Sequence, residues 1–235
     1  AGTAFYEKAK PAFEALRAAK LDAADRRVEP AGLLRIGASV QFAPTYLVPV
    51  VAAFMRRYPK VEVELALSDK VDDLLQRRAD IAVRMVEPTQ QALVARRIGS
   101  VRLGFHAHRD YLALRGIPAS AAELKHHDLI GFDTETAYIR ASMRHVPGID
   151  RAMFALRVDN DAAQFAAIQA GFGIGICQTA VARRDPALVR ILPDALDLPL
   201  PLWIVMHEDL RRGGRYRAVF DALAAGLSAV TEREG

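Results

Sequence analysis

Between Leu33 and Met85 short apolar runs alternate with amphipathic helical patterns, and this rhythm restricts the fold more than any other feature of the chain. LLRIGAS (33–39) is an apolar strand that ends in small residues. Leu47, Val50, Val51, Phe54, Met55 and Tyr58 then fall at i, i+3, i+4, i+7, i+8 and i+11, the spacing of a wide helical face. Pro44 and Pro49 push the regular part of that helix late, because proline is comfortable only in a first turn, and Tyr58-Pro59 stops it. VEVELALS (61–68) alternates strictly, with Val61, Val63, Leu65 and Leu67 on one face. Asp69 is placed to cap a short helix carrying Val71, Leu74 and Leu75, and IAVRM (81–85) reads as a third strand. Strands joined through helices in this way belong to a parallel sheet with helices on its faces.

The second half follows the same logic without repeating the sequence. DLIGFD (128–133) and FALRVDN (154–160) read as strands, and Asp161 with Gln164 makes a capping-box-like start for a helix that runs to Ala170. Gly171 is suited to terminate it, and GFGIGICQ (171–178) returns to the sheet. LPLWIVMHE (200–208) is a further strand, and the closing helix carries Tyr216, Val219, Phe220, Leu223, Leu227 and Val230 on one face. VRLGFHAH (101–108) and LWIVMH (202–207) are positioned to cross between two sub-domains. The division is then 31–105 plus 207–235 for one and 106–206 for the other, with a cleft between them where open sheets place ligands.

The first thirty residues stand apart. Phe5, Ala9, Ala12, Leu16, Ala19 and Ala23 recur at a 3.5-residue period with charged residues between them, the pattern of a helix that pairs with another helix. Residues 1–30 therefore read as a helix that pairs with another helix, or as an amphipathic helix lying on its own domain, interrupted at Pro11.

Composition narrows the function classes. With 235 residues, 51% hydrophobic and a net charge of +4, the chain is neither disordered nor a concentrated polyanion binder. Its arginine pairs are scattered and lack interleaved aromatics, so they read as solvated faces. The longest apolar run, around Tyr46–Met55, falls well short of the about 18 residues a membrane span needs, and nothing at the N-terminus resembles a signal peptide. No nucleophile elbow, metalloprotease helix, Walker loop or dinucleotide turn is present, so no catalytic residue is assigned. His106 and His108 share a strand face, but nothing is spaced to complete a metal site with them. His126-His127 reads as solvated or capping, and Cys177 as an unremarkable buried thiol. The glycines of GFGIGIC suit a tight turn that lets backbone approach a ligand in the cleft. Binding chemistry is instead indicated at strand ends. Ser39, Val40 and Gln41 follow the first strand, Ser68 and Asp69 the second and Arg84 the third. Phe132 and Asn160 occupy corresponding places in the other half.

In order and spacing, AGTAFYEKA (1–9), GLLRIGAS (32–39), LVPVVAAFMRRYPKVEVELALSD (47–69), VDDLLQRRADIAVRM (71–85), LVARRIGSVRLGFHAHRDYLALRGIP (93–118), DLIGFD (128–133), VDNDAAQFAAIQAGFGIGICQ (158–178) and LPLWIVMHEDLRR (200–212) resemble a LysR-type bacterial transcriptional regulator. The part resembled is the linker helix plus the effector-binding region, without the N-terminal winged helix-turn-helix. The resemblance implies an α/β, periplasmic-binding-protein-like fold of two Rossmann-like sub-domains joined by two crossover strands. It implies a small-molecule effector in the cleft, homodimers or homotetramers, a cytoplasmic location and no cofactor, metal or membrane partner. Operator DNA would be bound only through the missing winged helix-turn-helix. Carried over, the effector contacts are Ser39, Val40, Gln41, Ser68, Arg84, Phe132 and Asn160, and closure is expected about Phe105, His106 and Met206. Oligomers would form through Phe5, Ala9, Ala12, Leu16 and Ala19. Asp69 beside Ser68 weighs against an anionic effector. A periplasmic-type solute-binding protein shares the fold expected here and is the alternative reading. An enzyme on the same architecture is a further one, for which the sequence offers no paired carboxylate or activated nucleophile.

Overall fold

The computed structural model describes residues 29–68, 79–88, 93–134, 139, 143–144, 148–211 and 213–234. The N-terminal seam (Phe5, Ala9, Ala12, Leu16, Ala19) and the helix expected after Asp69 lie outside the described residues.

The first half is built as its alternation demands. Strand β1 (Gly32–Ala38) leads into a π-helical turn over Ala43–Leu47, which runs directly into helix α1 (Val48–Arg57). Pro44 and Pro49 each stand in the first two positions of their segment, where the fixed φ of proline suits helical backbone. Strand β2 (Val61–Leu67) pairs parallel with β1 along its whole length, and β3 (Ile81–Arg84) pairs parallel on the other side. Leu34, Ile36 and Ala38 point to the side of the sheet that α1 covers, and all three are buried. On β2 the alternation is only partly used. Val61 is buried, whereas Leu65 and Leu67 are 37% and 40% exposed, on what is the edge strand of the described sheet.

Strand β4 (Leu93–His108) begins eight residues before the 101–108 run that marked it in the sequence. Ala95, Arg96 and Arg97 are all exposed, so this half of the strand shows no apolar alternation to betray it. Helix α2 (Arg109–Arg115), strand β5 (Leu129–Phe132), strand β6 (Phe154–Val158), helix α3 (Asp161–Gln169), strand β7 (Gly175–Gln178), the short helix α4 (Thr179–Ala182) and strand β8 (Leu188–Ile191) complete the second lobe. Strand β9 (Leu198–His207) then returns to the first lobe, followed by helix α5 (Gly214–Glu234).

The crossing strands join the lobes into one seven-stranded sheet of order β2-β1-β3-β9-β4-β7, with β8 also on β4. β4 and β9 are antiparallel partners from Leu93↔His207 to Leu103↔Leu198, with a bulge between Arg97 and Gly99. β5 and β6 form a separate parallel pair, tied to the chain entering β7 by a bridge between Leu129 and Ile174.

Helix α5 returns to the first lobe. Its Tyr216, Val219, Leu223 and Leu227 join the core made by β1, β3 and β9. Gly226 lets α5 approach α1 closely, since a Cβ there would stand 2.6 Å from Val50. Ser228 and Thr231 donate to the carbonyl of Ile98 at 3.1 and 3.2 Å, so the helix also clasps the bulge of β4. The second lobe has apolar clusters on Phe105, Leu124 and Ile191 and on Ile130, Ile168 and Cys177. Phe165 packs against both the first-lobe core and the Cys177 cluster, and Arg184 stands 5.5 Å above the ring of Tyr46, so the lobes touch beside the crossing strands.

One local expectation is corrected. Asn160, not Asp161, caps α3: its side-chain oxygen accepts from the Ala163 N–H at 2.8 Å. Gln164 does not reach back to close a capping box. Its amide donates across to the carbonyl of Ile176 on β7.

Candidate functional site

At the ends of β1, β2 and β3 the backbone is knitted together before any ligand is considered. The Ser68 N–H donates to Ala38 O at 2.9 Å, extending the β1–β2 ladder by one bond. Arg84 leaves β3 on the face away from the core and donates from Nη1 to the Ser68 carbonyl at 3.3 Å. Its path crosses Gly37, where a Cβ would stand 3.6 Å from Nη2. A guanidinium that spans β1 in this way ties the three strand ends to one another.

The turn after β1 opens toward the same end. Ser39 O accepts from the Ala43 N–H at 3.1 Å, starting the helical turn that carries Phe42 and Tyr46 into the core. This anchoring buries the intervening polar groups. Ser39 Oγ and Gln41 Nε2 are both inaccessible and have no hydrogen-bond partner among the described residues, and Gln41 as a residue is only 8% exposed. Val40 is half-buried between them.

In the second lobe Phe132 ends β5 and Asn160 follows β6, as the sequence placed them. Phe132 is half-buried and lines an apolar recess together with Phe105, Met143, Phe154 and Ile176. Asn160 spends its side-chain oxygen on the α3 cap. The structure thus gathers Ser39, Gln41, Ser68 and Arg84 at one sheet end of the first lobe, and Phe132 and Asn160 at strand ends of the second.

Phe105, His106 and Met206 each lie within a ladder that has strands on both sides. Phe105 pairs with Ile176 and Ile191, His106 with Gly175 and Arg190, and Met206 with Ile81 and Val94. Among the described residues β4 and β9 have only each other as strand partners over Gly99–Arg102 and Pro199–Leu202. Pro199 and Pro201 therefore fall where β9 has a free edge, the position in a sheet that proline tolerates.

His106 is 2% exposed, with Nδ1 3.0 Å from Gly104 O and 3.3 Å from Cys177 Sγ. Burial lowers its pKa to about 4, aided by the nearby Arg190 and Arg183 and opposed by the Gly104 carbonyl. Burial likewise pushes the Cys177 thiol up, with Asp161 adding to the effect, so the sulfur stays protonated. His108 Nδ1 accepts from the Asp110 N–H at 3.2 Å and caps α2, which removes that nitrogen from any metal chemistry. Among the described residues no three His, Cys, Asp or Glu side chains cluster to hold a metal. His126 is exposed, and His127 stands 3.2 Å from the Tyr111 hydroxyl. The glycines of GFGIGIC are approached by protein: Gly173 by the Asp128 carbonyl and Gly175 by Ile168.

Sequence reasoning missed Gln164, Gln178, Thr179 and Trp203, each of which has a buried polar atom without a hydrogen-bond partner among the described residues. No periodicity marks such atoms; only the fold removes them from water.

Residues 27–228 match the family model described as the LysR substrate binding domain. The HTH-type transcriptional regulator CrgA of Neisseria meningitidis serogroup C is 30% identical over 131 residues, which is 56% of this chain and 44% of that protein. The probable HTH-type transcriptional regulator LtrA of Klebsiella pneumoniae is 26% identical over 238 residues, 98% of this chain and 77% of the relative. The chain thus spans less than half the length of CrgA and about three quarters of LtrA. Among solved structures, the regulatory domain of N. meningitidis CrgA superposes with a TM-score of 0.74 at 24% identity, covering 84% of this chain and 100% of that one. The full-length virulence activator AphB of Vibrio cholerae superposes with a TM-score of 0.72 at 24% identity, covering 95% of this chain and 78% of that one.

Proposed function

The chain belongs to the LysR substrate-binding-domain family, and from that premise we propose that its two lobes take a small-molecule effector between them and pass the resulting change in lobe geometry to a DNA-reading segment of the same protein. The observation that carries this reading is the pair of buried polar atoms Ser39 Oγ and Gln41 Nε2 at the end of β1, without a hydrogen-bond partner among the described residues. Each such group costs about 1–3 kcal/mol of desolvation, which a ligand offering a complementary group would offset.

In this proposal Ser39 and Gln41 bond the polar part of the effector and Val40 packs beside it. Ser68 and Arg84 hold the floor on which they stand. Phe132 meets the apolar part, and Asn160 fixes the start of α3. Closure takes place where β4 and β9 are a bare two-stranded ribbon, with Phe105 and His106 on one side and Met206 on the other as firm anchors. A ligand shifts this equilibrium only by its differential affinity for the open and closed lobes. Homodimers or homotetramers formed through Phe5, Ala9, Ala12, Leu16 and Ala19 would convert closure into a new spacing of DNA readers. Operator contacts would come from a winged helix-turn-helix, in keeping with the relatives' designation as HTH-type regulators. A cytoplasmic, non-enzymatic protein fits this role. The solute-binding alternative is not favoured, because the relatives are transcriptional regulators.

The test is a thermal-shift screen of small acids, alcohols and aromatics, followed by solution scattering with each compound that raises the melting temperature. A hit is expected to shrink the radius of gyration and to lose at least tenfold in affinity on Ser39→Ala or Gln41→Leu. Hits that bind both variants as tightly as the parent chain and leave scattering unchanged would overturn the proposal.

A further inference from the structure

The two segments that carry the proposed effector contacts also meet each other. On the first lobe, Ser39 and Gln41 lead into the turn Ala43–Leu47, whose Tyr46 is 2% exposed and stacks on Phe42 with ring centroids 4.9 Å apart. On the second lobe, Asn160 starts α3, and the chain returns through β7 to the short helix α4. Phe165 of α3 and Ala180 of α4 pack against the buried cluster that holds Phe42 and Tyr46, and Val181 of α4 belongs to it. Ala182, the next residue, belongs instead to the cluster of Ile130, Ile168 and Cys177. Consecutive residues of one helical turn are thus buried in two different cores, which makes α4 a wedge between them.

Arg184 adds to this contact from the rim. It follows α4 by two residues and is exposed, yet its guanidinium carbon stands 5.5 Å from the centre of the Tyr46 ring. A cation over an aromatic face is attracted at that distance, and the attraction grows where water is excluded. The apolar and the cationic parts act in one direction. Rotating the second lobe away about the β4–β9 ribbon would return Phe165 and Val181 to water and lift Arg184 off the ring. Tyr46 lies in the turn that Ser39 O opens by accepting from the Ala43 N–H, so what holds Tyr46 also orients the segment after β1.

We propose that Arg184 is a positioning residue: with Phe165 and Val181 it latches the second lobe onto Tyr46, and so sets the angle at which the Ser39–Gln41 turn faces Phe132 and Asn160. The inference deepens the effector-binding reading above and rests on it for the identity of the site, while the latch itself is a property of the chain without ligand. An effector held between the lobes gains from such a latch, because its apparent affinity scales with the fraction of chains already in the competent arrangement.

The test is the separation of the lobes in the whole chain, read by pulsed electron resonance between nitroxides on Glu62→Cys and Leu114→Cys. Both positions are exposed, one on each lobe, and Cys177, the one native cysteine, is buried. Labelled chain is diluted in unlabelled chain, so that only distances within a chain are read. Arg184→Gln and Phe165→Ala are each expected to raise the fraction at longer separations by about threefold, whereas Arg184→Lys, which keeps the cation, should match the parent. Because Arg184 is exposed, its variants should melt with the parent, which keeps the distance a reading of lobe angle and not of folding. Parent-like distances in Arg184→Gln, or an Arg184→Lys chain that opens as far as Arg184→Gln, would overturn the inference. A fall in melting temperature with unmoved distances would assign Arg184 to stability alone and overturn it as well. If Arg184→Gln opens the chain while no compound binds through Ser39, the latch stands and the effector reading falls. If a compound binds through Ser39 and compacts the parent while Arg184→Gln leaves the distances unmoved, the effector reading stands and the latch falls.

Discussion

His106 shows how much a single position owes to its surroundings. On the strand it is one of two histidines on a shared face. In the fold it is enclosed beside Gly104, Cys177 and Arg190, and its pKa falls from 6.5 to about 4. The unfolded chain takes up a proton near 6.5, whereas the folded chain resists until about 4. The stability this represents is therefore fully present above 6.5 and is lost progressively as the pH falls toward 4. The amount at stake is about 3 kcal/mol. His106→Gln should flatten the urea-unfolding free energy between pH 7 and pH 4.5, and an equal loss in variant and parent would contradict the assignment. Cys177 gives a companion test: its buried, protonated thiol should react with a thiol reagent only on unfolding, so rapid modification of the native chain would be contrary. The burial of Cys177 was legible from sequence, and the enclosure of His106 was not. Ser39 and Gln41 were legible, since a polar pair directly after an apolar strand falls at a sheet end in any open α/β fold, whereas Gln164 looked like an ordinary capping partner.

Elements that carried their own periodicity were readable, and those that did not were missed. β1, α1 and the buried face of α5 follow directly from apolar spacing, and Gly171, at φ +72°, ends its helix as glycine after a helix should. The first half of β4 was invisible because Ala95, Arg96 and Arg97 face water and only the ladder with β9 makes the strand. Two substitutions test how the elements are held. Asn160→Ala removes the oxygen that caps α3 and should cost about 1 kcal/mol, measured by urea unfolding, while Asp161→Ala should cost well under half of that. The reverse ranking would restore the capping box. Gly99→Ala places a side chain where Thr231 already stands, on a backbone at φ +151°, and should cost about 2 kcal/mol while loosening α5 from the bulge. A Thr231→Ala partner that recovers most of the loss would show that the clash with the helix dominates. No recovery would assign the cost to the backbone alone.

At the scale of the whole molecule, stability and motion are distributed unevenly along the same two strands. Phe105 and Met206 are anchored between neighbours on both sides, while among the described residues Gly99–Arg102 and Pro199–Leu202 hold only each other. Amide hydrogen exchange should accordingly be faster at Ser100 and Arg102 than at Phe105 and Ala107, and slower exchange across the ribbon would move the hinge elsewhere. A core variant should act differently: Ile204→Ala, in the fully buried first-lobe core, is expected to cost about 2–5 kcal/mol without changing that exchange contrast. By itself the sequence determined the alternation of strands and helices, the parallel first sheet, the strand-end polar residues and the return of the last helix. All of these depend on residues a few positions apart, and hydrophobic periodicity records such local relations. Only the tertiary structure decided which strand is an edge, where the crossing ribbon stands alone, which glutamine lost its water and which histidine lost its proton. Those outcomes depend on neighbours far away in the chain, because desolvation and pairing are set by what packs against a residue and not by what precedes it.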